Sequence, residues 1–93
     1  MSEYTKGKWK KQLYSNGYEI FADDEEETYI AGINEDNPNH KANAQLIETA
    51  PELLEAAEYI ENHILTGGIK IKDAPAEICF KDLQKAIAKA KGD

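Results

Sequence analysis

The first third of the chain has the residue pattern of a small antiparallel sheet. KWKKQLY (residues 8–14) mixes large apolar and polar side chains, YEIFA (residues 18–22) follows, and TYIAGI (residues 28–33) is rich in β-branched and aromatic residues. Asn16 and Gly17 between the first two segments indicate a type I′ hairpin, because both residues tolerate positive φ. The pattern predicts a three-stranded β-meander over about residues 8–33.

The period of the apolar residues changes after the loop NEDNPNHK (residues 34–41). Spacings of three and four are typical of one face of an amphipathic helix. Thr66, Gly67 and Gly68 predict its end, since glycine commonly follows the last helical turn. The stripe consists of Leu46, Ala50, Leu53, Leu54, Ala57, Ile60 and Ile64. Within the segment 42–56 we expect four core side chains, those of Leu46, Ile47, Leu53 and Leu54.

Pro51 interrupts this helical segment. Thr49 and Glu52 have the T-x-x-E spacing of a capping box, which places Pro51 in a first helical turn, where its missing N–H costs nothing. The residue before a proline disfavours helical angles. We therefore predict a short helix over about residues 41–48, a turn or sharp kink, and a longer helix to about Leu65.

The last part of the chain predicts a further helix. Pro75 suits its first turn, and the four residues IKIK (residues 69–72) fit either a short edge strand or an extended connection. Its predicted apolar face consists of Cys79, Leu83, Ala86, Ile87 and Ala90. Together the segments predict an α+β fold in a single domain, residues 1–93, with a helical part (about residues 41–91) packed on one face of the sheet.

Charge and length limit the possible partners. The net charge is −7, and all 11 basic residues are lysines. Direct binding to nucleic acid is therefore unexpected, and the bidentate fork with which arginine holds phosphate is missing. A chain of 93 residues has a thin core, so we expect a homo-oligomer, a dimer or higher. The absence of a signal peptide or a long apolar run predicts a soluble, intracellular protein.

The residues that usually carry chemistry are few and scattered. Cys79 is the single cysteine, so neither an internal disulfide nor a thiolate zinc site is expected, and an apolar run around it suggests a core position. His40 and His63 lack metal-ligand spacing, and no catalytic motif is present. We expect a protein that is not an enzyme and that uses no metal or other cofactor.

Aromatic side chains and lysines alternate in the predicted strands. This combination suits a flat anionic ligand such as a nucleotide, and it also suits packing of a sheet against helices. Alternation places Lys10, Gln12 and Tyr14 on one face of the first strand, the candidate contact face. The candidate ligand-binding residues are Lys8, Lys10, Gln12, Tyr14, Tyr18, Tyr29 and Asn43.

The acidic stretch DDEEE (residues 23–27) supports a different hypothesis. It is either a solvated turn that discourages association of sheet edges, or a surface that docks on a basic protein groove in place of nucleic acid. Under the second alternative the partner-binding residues are Asp23, Asp24, Glu25, Glu26, Glu27, Glu35 and Asp36.

ANAQLIETAPELLEA resembles a segment of short bacteriophage and prophage proteins that carry A-N-A-x-L-I-x-x-A-P-E-L-L-E-A after a strand region with an early Trp. Looser similarity at Trp9, YIAGI and AIAKAKG extends the resemblance over most of the chain. The matching residues are Ala42, Asn43, Ala44, Leu46, Ile47, Ala50, Pro51, Glu52, Leu53, Leu54, Glu55 and Ala56.

The resemblance implies a phage protein that acts in the cytoplasm of the bacterial host. Its layout is similar to that of the Thoeris anti-defence proteins, which sequester cyclic nucleotide signals. The implied function is a non-catalytic binder that counters host immunity by sequestering a cyclic nucleotide messenger. An acidic, anti-CRISPR-like or nucleic-acid-mimicking inhibitor of a host defence enzyme is the alternative, and a phage accessory protein with another role is the third option.

Overall fold

The computed structural model of the chain describes residues 4–92 and contains three strands followed by two helices. The strands form one antiparallel sheet in the order β1-β2-β3, so the predicted α+β class and the β-meander are confirmed. The elements are β1 (Trp9–Tyr14), β2 (Gly17–Ala22), β3 (Tyr29–Asn34), α1 (His40–Leu65) and α2 (Ala74–Ala90).

Backbone contacts divide the chain into two compact units. One unit is Thr5–Glu52, which holds the sheet and the first half of α1. The other begins at Leu53 and includes Tyr4, and it holds the second half of α1 and α2. The single domain of residues 1–93 stays a prediction, and its ends, residues 1–3 and 93, lie outside the described residues.

The β1–β2 hairpin is confirmed, but the predicted turn type is wrong. Tyr14 pairs with Gly17, so the two turn residues are Ser15 and Asn16, and Asn16 does not have the positive φ that a type I′ turn requires. Gly17 has φ +141, and a Cβ there would collide with the carbonyl oxygen of Ile33. Glycine at this position is needed for close approach of β2 to β3 rather than for the turn.

Alternation along the paired strands gives the sheet two faces. On the face that contacts α1, which we call the helix face, Ile20 pairs with Lys11 and Ala22 pairs with Trp9. Ile20 is fully buried, and so is Ala44 of α1.

Lys11 attaches the first half of α1 to β1. Its Nζ lies 3.3 Å from Oε1 of Glu48, and its backbone N–H donates to Oε2 of the same carboxylate at 2.8 Å. Lys11 Nζ also donates to Oε1 of Gln45. Because both charged side chains are about three-quarters buried, at 23% and 24% exposure, this pair is shielded from solvent more than a surface ion pair.

The helix is continuous through Pro51, so the predicted short helix, the turn and the N-cap at Thr49 are wrong. α1 runs from His40 to Leu65 with Pro51 inside it. Thr49 Oγ1 donates to the carbonyl of Gln45 at 2.8 Å, which is a bond of a helix interior and not of a cap. The helix instead begins after the Asn-rich loop, where a backbone turn satisfies the first helical N–H: His40 N–H donates to the carbonyl of Asn37 at 3.0 Å.

The buried side of α1 is also offset from the predicted stripe. Leu46 is 61% exposed and Leu53 is 54% exposed, so the prediction that both belong to the core is wrong. Leu54 is buried as expected, Ile47 is half-buried, and Pro51 is buried. Spacing of three and four defines a stripe but not the rotation of the helix about its axis, which is set by what the helix packs against.

The end of α1 and the start of α2 agree with their sequence signals. Gly67 has φ +87 beyond the last turn, and the N–H of Gly68 donates to the carbonyl of His63 at 2.8 Å. Residues 69–72 form a connection and not a strand. Asp73 caps α2 by accepting from Ala76 N–H at 2.8 Å, and Pro75 lies in the first turn, as predicted.

The packed face of α2 is only partly the predicted one. Ile87 is buried and Leu83 is half-buried, as expected. Cys79 is exposed, so its predicted core position is wrong, and the remaining two predicted face residues, Ala86 and Ala90, are exposed as well. In the unit that holds α2, Nζ of Lys91, the residue after the helix, lies 3.2 Å from Oε2 of Glu58 in α1.

Candidate binding surface on the sheet

The sheet face opposite the helix face carries aromatic and polar side chains, and we call it the aromatic face. Its exposed tyrosines are Tyr29 (58%) and Tyr14 (40%). A register shift between Ile20 and Phe21 places Tyr29 opposite Phe21, and the two rings meet edge to face with centroids 5.8 Å apart. The face includes Lys10, Gln12, Tyr14, Glu19, Phe21, Tyr29 and Gly32.

Gly32 makes room for the Tyr29 ring. A Cβ on Gly32 would lie 2.7 Å from the hydroxyl oxygen of Tyr29, so any larger residue would displace the ring. The Tyr29 ring thus lies beside the Phe21 ring and above the bare backbone of Gly32. A tyrosine has few rotatable bonds and loses little conformational entropy when it binds a partner.

The structure separates the predicted ligand-binding residues into groups. Lys10, Gln12, Tyr14 and Tyr29 share the aromatic face. The other three lie elsewhere: Tyr18 is on the helix face, with its ring centroid 5.7 Å from that of His40, Asn43 lies on α1, and Lys8 precedes β1, where its carbonyl accepts from Asp23 N–H at 2.8 Å. Four of the seven predicted residues therefore share one face of the sheet, and a common site for all seven stays a prediction.

The acidic stretch folds into the loop between β2 and β3, which we call the acidic turn (residues 23–28). Ala22 N–H donates to the carbonyl of Thr28 at 2.8 Å, and Thr28 N–H donates to Oδ1 of Asp24 at 3.4 Å. Glu27 has φ +48, a left-handed conformation that a non-glycine residue rarely adopts. Asp24, Glu25 and Glu26 are exposed at the tip of this turn.

The acidic turn neutralises the lysine of the aromatic face. Lys10 Nζ lies 3.3 Å from Oε1 of Glu27 and 3.9 Å from Oδ1 of Asp23. These pairs are partly exposed, so each adds little stability, but they set the sign of the local potential. With five carboxylates in the stretch 23–27 beside Lys10, the aromatic face attracts cationic groups more than anionic ones.

The two remaining acidic candidates belong to the loop after β3. Glu35 N–H donates to the carbonyl of Asn16 at 2.9 Å, and Asp36 N–H donates to Oδ1 of Asn34 at 2.8 Å. They follow the end of β3, whereas the acidic turn precedes its start. The predicted acidic surface is therefore divided between the two ends of one strand.

A groove beside β3 was not foreseen from the sequence, apart from Asn43. It has a volume of about 480 Å³ and lies between β3 and the first half of α1. A smaller hollow of about 240 Å³ shares its β3 wall. The density of asparagine in residues 34–43 is the one sequence signal for it. The groove is lined by Gly32, Ile33, Asn34, Asn37, Asn43, Leu46 and Ile47, none of which is charged.

Within residues 4–92, no three histidine, cysteine, aspartate or glutamate side chains are grouped so that they could hold a metal ion. Neither α1 nor α2 combines the length and the apolar character that a membrane span requires.

The family model described as Salmonella phage P22 protein Y8K6 matches residues 1–93, and the chain belongs to that family. Neither a curated protein nor a solved structure matches the chain. The family agrees with the phage origin that the ANAQLIETAPELLEA segment implies. Similarity to the Thoeris anti-defence proteins stays a prediction.

Proposed function

We propose that this phage protein is a non-catalytic binder of a host defence protein, and that it holds a basic surface of that partner with the aromatic face and the acidic turn. The observation that carries the proposal is the pairing of Lys10 with Glu27 and Asp23 beside the exposed Tyr14 and Tyr29. This arrangement supports recognition of a cationic protein surface over recognition of a phosphate.

The side chains on this surface have the properties of a protein interface. Tyrosines are enriched at interfaces because they bury a large area with few rotatable bonds, and their hydroxyl groups still form hydrogen bonds. The carboxylates of Asp24, Glu25 and Glu26 at the tip of the acidic turn would accelerate encounter with a basic partner, and this effect weakens as salt screens the charges. Such binding needs no catalytic group and no cofactor.

Sequestration of a cyclic nucleotide is the second candidate function. It is favoured by the two exposed tyrosine rings on one face, on which a base would stack. The carboxylates beside Lys10 oppose it, because a phosphate would have to displace them. A nucleotide at a hundred times its dissociation constant would raise the free energy of unfolding by about 2.7 kcal/mol, so thermal unfolding with cyclic di- and trinucleotides separates the two candidates.

Affinity capture from a lysate of the phage host tests the main proposal. The immobilised protein should retain a specific host protein at low salt and lose most of it at moderate salt. Reversing Asp24, Glu25 and Glu26 to lysine should abolish the capture, and Tyr29→Ala should weaken it. A control variant reverses the exposed carboxylates Glu52, Glu55 and Asp82, which changes the net charge by the same amount but leaves the acidic turn intact.

The control variant shows whether capture depends on the position of the carboxylates or only on the net charge. Loss of capture in both charge-reversal variants would mean that only net charge matters, and it would contradict the proposed surface. Capture that survives reversal of the acidic turn would contradict it as well.

A further inference from the structure

The two edges of the sheet are protected to different degrees. An exposed edge strand pairs readily with another strand, and proteins usually prevent this with lysines, prolines or a covering element. The β1 edge carries Lys8, Lys10 and Lys11, and its outward Lys11 N–H is already bound by Glu48 at 2.8 Å. The β3 segment TYIAGIN contains no charged residue and no proline, so only the register shift near its start protects it.

The backbone of β3 has hydrogen-bonding groups directed to this open edge. Glu35 N–H donates to the carbonyl of Asn16, which fixes the alternation of the antiparallel ladder between β2 and β3. By that alternation the N–H and C=O groups of Gly32 and Asn34 point away from β2, and the Asn34 carbonyl also accepts from Asn37 N–H at 3.2 Å. Both residues are exposed.

The groove beside this edge offers an apolar side-chain site. Leu46 projects from the half of α1 that packs on the sheet, yet most of its surface is exposed, and it lines the groove with Ile33 and Ile47. Three carboxamides, those of Asn34, Asn37 and Asn43, complete the lining. An added strand would cover these apolar side chains and the backbone groups of β3 at the same time.

We propose that the added strand is β3 of a second copy of this chain, paired antiparallel so that the two sheets become one continuous sheet. With Ile33 of the two copies facing each other across the two-fold axis, each Gly32 pairs with Asn34 of the second copy. This register forms about four backbone hydrogen bonds, and the two that use the Asn34 carbonyls take the second lone pair, since the first accepts from Asn37 N–H. The two Leu46 side chains then enter the joined grooves and cover the Ile33 pair.

Charge permits a second copy in this register. Copies of a chain with net charge −7 repel each other least where they meet at an uncharged surface, and both β3 and the groove lining are uncharged. The register sets Glu35 opposite Ala31, so that no two carboxylates face each other. Two-fold pairing also requires a self-complementary patch, which an apolar strand edge provides. The inference does not depend on the proposed host partner.

The dimer and its interface are tested by sedimentation equilibrium of the wild-type chain and two variants. The wild type should be dimeric at micromolar concentration. Leu46→Glu should raise the dissociation constant of the dimer by at least about a hundredfold, because it buries two carboxylates, and it should leave the far-UV circular dichroism unchanged. Leu13 in β1, at the other edge of the sheet, is similarly exposed, and Leu13→Glu should leave the dimer intact.

Disulfide trapping tests the register in a Cys79→Ser background. Facing residues of an antiparallel pair that do not exchange hydrogen bonds lie about 4.5 Å apart at Cα, so Ile33→Cys should cross-link two copies on mild oxidation. Ala31→Cys lies on the same face, but its two copies would be roughly 13 Å apart, so it should not cross-link.

Three results would overturn the proposed dimer. A wild-type chain that stays monomeric up to millimolar concentration would overturn it. So would a dimer that tolerates Leu46→Glu, or one that cross-links at position 31 in preference to position 33.

Discussion

Replacing Pro51 with alanine should stabilise the protein, and this prediction follows directly from the continuity of α1. A proline inside a helix lacks the N–H that would bond to the carbonyl four residues earlier, here that of Ile47, and its ring crowds that carbonyl. The penalty relative to alanine is about 3 kcal/mol. Alanine lacks two ring carbons of this buried proline, which costs about 1.6 kcal/mol of lost burial.

The net gain is therefore about 1.4 kcal/mol in the free energy of unfolding, a rise of roughly 6–11 °C in Tm for a chain of this size. Thermal unfolding followed by circular dichroism and by calorimetry measures it. Thr49→Ala is the companion variant. Within a continuous helix it exchanges the bond to Gln45 for better helix propensity, so Tm should stay within a few degrees of the wild-type value.

The alternative, a helix that begins at Thr49, reverses both expectations. Thr49 would then be the N-cap, and its loss would cost about 1 kcal/mol. Pro51 would lie in the first turn, where replacement by alanine brings no gain and releases entropy in the unfolded chain. A lower Tm for both variants would refute the continuous helix. A higher Tm for Pro51→Ala with little change for Thr49→Ala would confirm it.

Three further experiments test single features of the fold. Gly17→Ala should lower the free energy of unfolding by more than about 2 kcal/mol, because the new Cβ meets the β3 backbone. Gly7 also has a positive φ but has open space around it, so Gly7→Ala should cost only about 1 kcal/mol. Chemical denaturation compares the two variants. Asp73→Ala should cost about 1 kcal/mol through loss of the N-cap, while Asp82→Ala within the same helix should cost nothing by the same measurement. Cys79 should react with a thiol reagent in the native protein as fast as a small free thiol, and slow reaction would contradict its exposure.

The candidate site shows where sequence-based reasoning reaches its limit. Alternation along β1 correctly grouped Lys10, Gln12 and Tyr14, because a strand turns successive side chains to opposite faces whatever surrounds it. Tyr29 joins them only because of the register shift opposite Phe21, which nothing in TYIAGI indicates. Tyr18 was assigned to the same site by residue type and Asn43 by its place at the start of the predicted helical part, and the tertiary structure places both away from the aromatic face.

The distribution of charge over the surface could not be predicted from the sequence either. The sequence contains both a lysine-aromatic pattern and an acidic stretch, and each supported its own hypothesis. Only the folded loop brings Glu27 and Asp23 to Lys10, which makes the acidic turn and the aromatic face parts of one surface. A turn between two strands can place charges beside either face, and its own backbone hydrogen bonds decide which.

Local signals determined the elements of this protein. The glycine after α1, the Asp73 cap, Pro75 and the period-two segments each act through the backbone of a few neighbouring residues, so they can be recognised without knowledge of the fold. The tertiary structure decided the continuity of α1 through Pro51, the exposure of Leu46 and Leu53, and the open edge of β3. These properties depend on which surface an element packs against, and residues distant in the sequence supply that surface.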